Sequence, residues 1–245
     1  INDGQGPSRV APAPFPLEHQ APRQTRWRAD FGAALDRGWQ WPQSNAPGVE
    51  LDWGALVLSV AHQRKSGDPL AAVLARPITS GDYTAQAVVD ARRQAPGTLA
   101  SLCAYGSHKD ALGIGVRDGA VVVWRRRGGR VVELARAAAG AGKPHLRCTA
   151  LAGQAYRFAF SPDGKRWTTL GDRIDGSWLP PWDAGVRVAL TVGGANGAQA
   201  RFTALEIAPT PAPVTRLSER VPKRARLATL LNRAVASTGL AARPG

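Results

Sequence analysis

The chain has 245 residues, 44% hydrophobic and 20% charged, enough for one large domain or two small ones with a sizeable core. Its 27 glycines and 19 prolines argue against a helical protein and for many short strands and turns, and no run approaches the ~18 apolar residues of a membrane span. A net charge of +14 and a pI near 11.2 invite a nucleic-acid partner, but the charge is unevenly placed. Arg216, Arg220, Lys223, Arg224, Arg226, Arg233 and Arg243 face only Glu219 in the last stretch, and "WRRRGGR" at 124–130 adds four arginines at a turn. Arginine far outnumbers lysine and alanine is abundant, the signature of a GC-rich genome as much as of a ligand, so nucleic acid is not the expected partner.

The chain contains no methionine and begins "INDGQGP". Neither a start residue nor the basic and apolar segments of a secretory signal are seen, so a processed chain or a fragment is expected. Export is the expectation, with a secreted or periplasmic location.

Residues 1–25 read as a proline-rich linker: "GPSRVAPAPFPLEHQAPRQ" has no apolar periodicity. A β-sandwich domain is expected over 26–208. "RGWQWPQSNAP" at 37–47 opens it with Trp39 and Trp41, two positions apart and so on one side of an extended strand. Strands are predicted at 55–61, 83–91, 99–106, 111–116, 120–126, 130–137, 145–151, 155–161, 166–171, 186–193 and 200–207. "RDG", "RGG" and "SPDGK" between them are turn chemistry. No strand is followed by a helical pattern, so the fold class is all-β, with antiparallel strands packed as two sheets.

The alternation supports this. Tyr156, Phe158 and Phe160 share one face, as do Val186, Val188, Leu190 and Val192. In "ARFTALEI" the parity slips between Phe202 and Leu205, which a bulge would absorb. Cys103 and Cys148 form no Cys-x-x-Cys pair, leaving either a disulfide between neighbouring strands or two buried thiols. Residues 209–245 read as a proline hinge and a basic tail. After Pro222 the tail is expected to form an amphipathic helix with Leu227, Leu230, Leu231, Ala234 and Val235 on one side.

The chemistry search yields no catalytic residue, metal site or cofactor site. There is no Gly-x-Ser-x-Gly elbow and no phosphate loop. His19, His62, His108 and His145 lack metal-ligand spacing. Asp118, Asp163, Asp172 and Asp175 sit in turn signatures, where a carboxylate caps backbone amides. What remains is aromatic: eight tryptophans, whose flat faces stack on sugar rings or fill a core. Trp124 and Trp167 are expected in the core. Trp178 and Trp182 of "GSWLPPWDAG" are the expected exposed pair. At least one of Trp39 and Trp41 is expected to be packing.

The order "GWQWPQSNAP", "ALVLSV", "LARPITSGDYTAQAVV", "LASLCAYGSHKDALGIGV", "HLRCTALAGQAYRFAFSPDGKRWTTLG", "AGVRVALTVGG" and "ARFTALEI" resembles the C-terminal concanavalin A-like domain of glycoside hydrolase family 43, the β-xylosidase and α-L-arabinofuranosidase group. Trp39, Trp41, Asn45 and Pro47 match the family's opening segment. Leu146, Arg147, Tyr156, Phe158, Ser161, Asp163, Gly164 and Trp167 match its aromatic strand and turn. Pro42, Gln43 and Ser44 depart from the family's Trp-x-Trp-Asn-His-Asn-Pro pattern.

The resemblance implies a two-sheet jelly-roll sandwich and a catalytic propeller elsewhere. It also implies that the sandwich packs on that propeller, with 61–73 as the candidate loop near a substrate cleft, and that it supports oligomer contacts. Some relatives bind calcium, but Asp30 is the one ligand this sequence offers, so calcium is not carried over. The leading expectation is a non-catalytic accessory module binding plant pentose oligo- or polysaccharides through Trp178, Trp182, Trp39, Trp41 and Asn45. The alternatives are a structural or oligomerisation module that touches no sugar, a polyanion binder using its arginine turn and tail, and a sandwich enzyme, for which no cluster of acids is evident.

Overall fold

Alternation of large apolar and polar residues sets which face of each strand is buried. In β5 (Tyr83–Val89), Tyr83, Ala85, Ala87 and Val89 point inward while Thr84, Gln86 and Val88 point out. β10 (His145–Leu151) and β11 (Ala155–Ser161) repeat the pattern, burying Leu146, Cys148, Ala150, Tyr156, Phe158 and Phe160. The computed structural model describes residues 25–42, 46–61, 68–140, 142–180 and 185–210. The expectations for the linker before residue 25, for the tail beyond residue 210, for Asn45 and Trp182, and for residues 62–67 of the candidate loop lie outside these residues.

The other strands are β1 (Trp27–Ala29), β2 (Gly48–Leu51), β3 (Leu56–Ser59), β4 (Ala72–Pro77), β6 (Leu99–Tyr105), β7 (Ala111–Arg117), β8 (Ala120–Arg127), β9 (Arg130–Ala138), β12 (Thr168–Thr169), β13 (Ile174–Asp175), β14 (Arg187–Gly193) and β15 (Gln199–Pro209). Among the described residues they form two antiparallel sheets. Sheet A runs β12-β11-β10-β5-β15-β3-β2, with β1 on β15 and β13 on β11; sheet B runs β4-β14-β6-β7-β8-β9. The two pack as a concanavalin A-like sandwich, β10 lying across β6 and β7 and β3 across β4. Phe202 and Leu205 both reach the core because the β15–β5 register shifts between Phe202 and Ala204, the bulge that the parity slip predicts.

Sheet B departs from the simple inward–outward rule, because β4, β6 and β7 are buried on both faces. Leu102, Leu112, Ile114 and Leu190 fill the inter-sheet core. On the opposite face Leu70, Val73, Leu99, Cys103, Tyr105, Val122 and Trp124 form a second cluster. Trp124 is thus buried as expected, but in this outer layer. Its indole lies on Gly113, where a Cβ would sit 2.4 Å from the ring, and its Nε1 donates to Ser101 Oγ at 3.1 Å. β4 escaped prediction for the same reason: "AAVLA" is buried on both sides and shows no alternation.

Cys103 and Cys148 are free, buried thiols belonging to different clusters. Burial raises the pKa of both, that of Cys148 to about 12. Trp167 corrects its expectation. After the Ser161–Gly164 turn it is only half-buried, capped by the Arg147 guanidinium 3.5 Å above its ring, while Phe160 and Leu170 take the neighbouring core positions. Where β12 was predicted to span 166–171, only Thr168–Thr169 pairs with β11.

Candidate functional site

The site is built on the β2–β3 hairpin. Asp52 and Ala55 exchange both backbone hydrogen bonds, at 2.9 and 3.0 Å, leaving a two-residue turn of Trp53 and Gly54. Their φ angles are +45° and +72°. Positive φ at both positions is the type I′ turn, whose twist suits a hairpin and whose first position favours Asn, Asp or Gly. A tryptophan held there costs about 1–2 kcal/mol in backbone strain. Packing returns nothing, because Trp53 is 97% exposed.

The turn is held from below. Arg201 on β15 donates from Nη1 to Asp52 Oδ2 and from Nη2 to the Asp52 carbonyl at 2.6 Å. The backbone of the same arginine accepts from the amide of Asp90 at 2.8 Å, which ties the hairpin to the end of β5. Asp90 then caps the 3-10 turn Ala91–Arg93. Arg92 grips it in a fork, with Nε to Oδ1 at 2.8 Å and Nη2 to Oδ2 at 2.6 Å. That guanidinium holds the buried Asp90 carboxyl below its ordinary pKa.

Between the Trp53 turn and the 3-10 turn lies a cleft of about 680 Å³ over the outer face of sheet A. Glu50 of β2 stands at one side, Val57 and Arg201 form the floor, and Arg93 and Lys143 stand at the other side. A smaller cleft of about 330 Å³ shares Arg92 and Gln94 with it and continues past Asp118. An exposed flat ring beside many fixed donors and acceptors suits a ligand with one apolar face and several hydroxyls. Here Asp52 is ion-paired with Arg201, and Asp90 is held as an anion.

The sequence-predicted residues are spread over the sandwich. Trp39 is 7% exposed and packs edge-on to Trp27 with ring centroids 5.5 Å apart, so one member of the Trp-x-Trp pair is core. Trp41 is 52% exposed, on the side of β4 where Gln40 bridges Ala75. Trp178 is half-buried against the core, with its indole donating to the Asp175 carbonyl at 2.8 Å and Arg127 over its ring. Three of the four turn aspartates accept backbone amides: Asp118 from Gly97, Asp163 from Lys165 and Arg166, and Asp175 from Ser177. Asp30 accepts from the amide of Gly32.

Sequence reasoning missed Trp53. The signal was present in "LDWGAL", a glycine-containing two-residue turn between apolar runs. Its clamp Arg201 is 149 positions away from Asp52, beyond any local pattern.

The sequence model of the beta-xylosidase C-terminal concanavalin A-like domain matches residues 28–204. Among solved structures, the GH43 protein BlXynB from Bacillus licheniformis is similar with a TM-score of 0.60 and 22% identity, covering 74% of this chain and 39% of that one. A bifunctional GH43-CE protein from Bacteroides eggerthii gives 0.61 and 20%, over 74% and 27%. Xylan beta-1,4-xylosidase from Bacillus halodurans C-125 gives 0.58 and 16%, over 74% and 38%. At these identities the likeness is one of fold, and the chain spans well under half the length of each. Comparison with curated proteins finds no match.

Proposed function

The chain belongs to the beta-xylosidase C-terminal concanavalin A-like domain family, and we propose that it is the accessory, carbohydrate-binding module of a family 43-like glycoside hydrolase. On this reading it is non-catalytic itself, is exported, and holds a plant pentose oligo- or polysaccharide for a catalytic domain. The observation that carries the binding claim is Trp53, a fully exposed indole kept on a strained turn at the rim of a polar cleft. Strain of that kind is retained where the side chain has work to do. The catalytic partner is supported by the unmatched length of the solved relatives.

Titration with xylo- and arabino-oligosaccharides, read by tryptophan fluorescence, tests the binding claim. A saturating change is expected in the full chain and in Trp41→Ala, with loss in Trp53→Ala. No response at millimolar sugar overturns it.

One observation favours the structural alternative. β9 ends sheet B without a further strand among the described residues, and Val131 and Leu134 stand half-exposed on it. A module that only packs on its catalytic domain, or on a second copy, would use such an edge. Size-exclusion chromatography separates the two: a monomer that binds sugar and has no affinity for a family 43 catalytic domain removes this alternative. The polyanion reading finds less support at the arginine turn, since Arg126 is ion-paired with Asp68 and Arg127 covers Trp178.

A further inference from the structure

The charges of the Trp53 cleft are not interchangeable, and their pairing leaves a surplus at one end. Asp52 is taken by Arg201. Both oxygens of Asp90 are taken by Arg92, and Lys143 Nζ stands 3.8 Å from Oδ2, beyond hydrogen-bond reach. Arg93, next to Arg92 on the same 3-10 turn, is exposed and has no carboxylate partner among the described residues. Lys143 is thus in ion-pair range of Asp90 without a hydrogen bond to it, and the wall sets three cations, Arg92, Arg93 and Lys143, against the single carboxylate of Asp90. The single carboxylate of the cleft without an ion partner among the described residues, Glu50, stands across the floor on β2, three strands away from β5 in the sheet order. Arg93 and Lys143 can donate to the hydroxyls of any sugar, but only an anionic group also draws on their charge.

Resting on the carbohydrate-binding reading above, we propose that the cleft selects a glycan bearing a uronic acid: a sugar ring stacks on Trp53 while the carboxylate of an acidic residue is held by Arg93 and Lys143. Glu50, on the opposite wall, disfavours the reversed orientation by like-charge repulsion.

The test uses the full chain and three probes under the same fluorescence titration: unsubstituted xylo-oligosaccharide, the same oligosaccharide carrying one glucuronic acid, and free glucuronic acid. The substituted oligosaccharide is expected to bind about tenfold tighter than the unsubstituted one at low salt. That advantage, read as the ratio of the two affinities in the same variant, should disappear in R93Q/K143Q and shrink in high salt. Free glucuronic acid should bind weakly, because it lacks the extended ring contacts. Equal affinity for the two oligosaccharides overturns this proposal and leaves Trp53 stacking intact. An advantage that survives R93Q/K143Q also overturns it, assigning the preference to the overall charge of the chain. Absence of binding by every probe overturns this proposal together with the reading it rests on.

Discussion

Replacing Trp53 by asparagine separates stability from binding, because the two pull in opposite directions at this position. The indole is 97% exposed, so its loss removes almost no buried area, and the backbone at φ +45° becomes one that asparagine adopts readily. Release of the left-handed strain is worth about 1 kcal/mol. For a folded domain of this size that is a rise in Tm of about 3 °C. Loss of a stacked aromatic anchor costs a ligand about 2 kcal/mol, or about 30-fold in affinity. Trp53→Asn is therefore expected to melt later by differential scanning calorimetry and to bind oligosaccharide far more weakly. A lower Tm would mean that the indole packs on something in solution and that the strain argument is wrong. An unchanged affinity together with a higher Tm would remove Trp53 from the site.

Three further outcomes follow from the geometry. Arg201→Ala breaks both bonds to Asp52 and is expected to cost about 1–2 kcal/mol in urea unfolding, with a drop in sugar affinity although Trp53 is untouched. Gly113→Ala drives a methyl into the Trp124 ring and is expected to cost about 1–3 kcal/mol, with a shift in the fluorescence of the buried indole. His145 is partly buried, which lowers its pKa below 6.5 against a smaller opposing pull from Asp163. The unfolded chain then takes up that proton before the folded one does. His145 therefore leaves stability intact above pH 6.5 and erodes it as the pH falls from there toward the lowered value. His145→Gln should flatten the fall in Tm between pH 7 and 5; an unaltered profile would refute it.

The strands were legible where one face is wet. β5, β10 and β11 announce themselves by period two, and even the bulge after Phe202 is written in the parity of "ARFTALEI". Legibility failed where that contrast vanishes, at β4, whose faces are both dry, and at two- to four-residue strands such as β2 and β13 that carry too few positions to show a period. Tryptophans misled for a related reason. Size alone placed Trp167 in the core, but Arg147 supplies it with a cover on the outside of the sheet, a contact no local pattern contains. The cleft was illegible because its parts come from β2, β3, β15 and the 3-10 turn after β5, which only the strand order makes neighbours.

The two-sided burial of β6 and β7 divides the molecule into a half where substitution is costly and one where it is cheap. On β6 and β7 almost every side chain meets packed neighbours whichever way it points, so a change on either face disturbs a dense layer. Sheet A offers the opposite: Gln86, Thr149, Arg157 and Glu206 alternate with buried residues and face outward, where substitutions are tolerated. New binding preferences can accumulate on that outer face, beside Arg201 and the Trp53 turn, while the other sheet preserves the scaffold. For anyone wishing to build a new binding surface on this scaffold, the positions open to randomisation are those of one sheet.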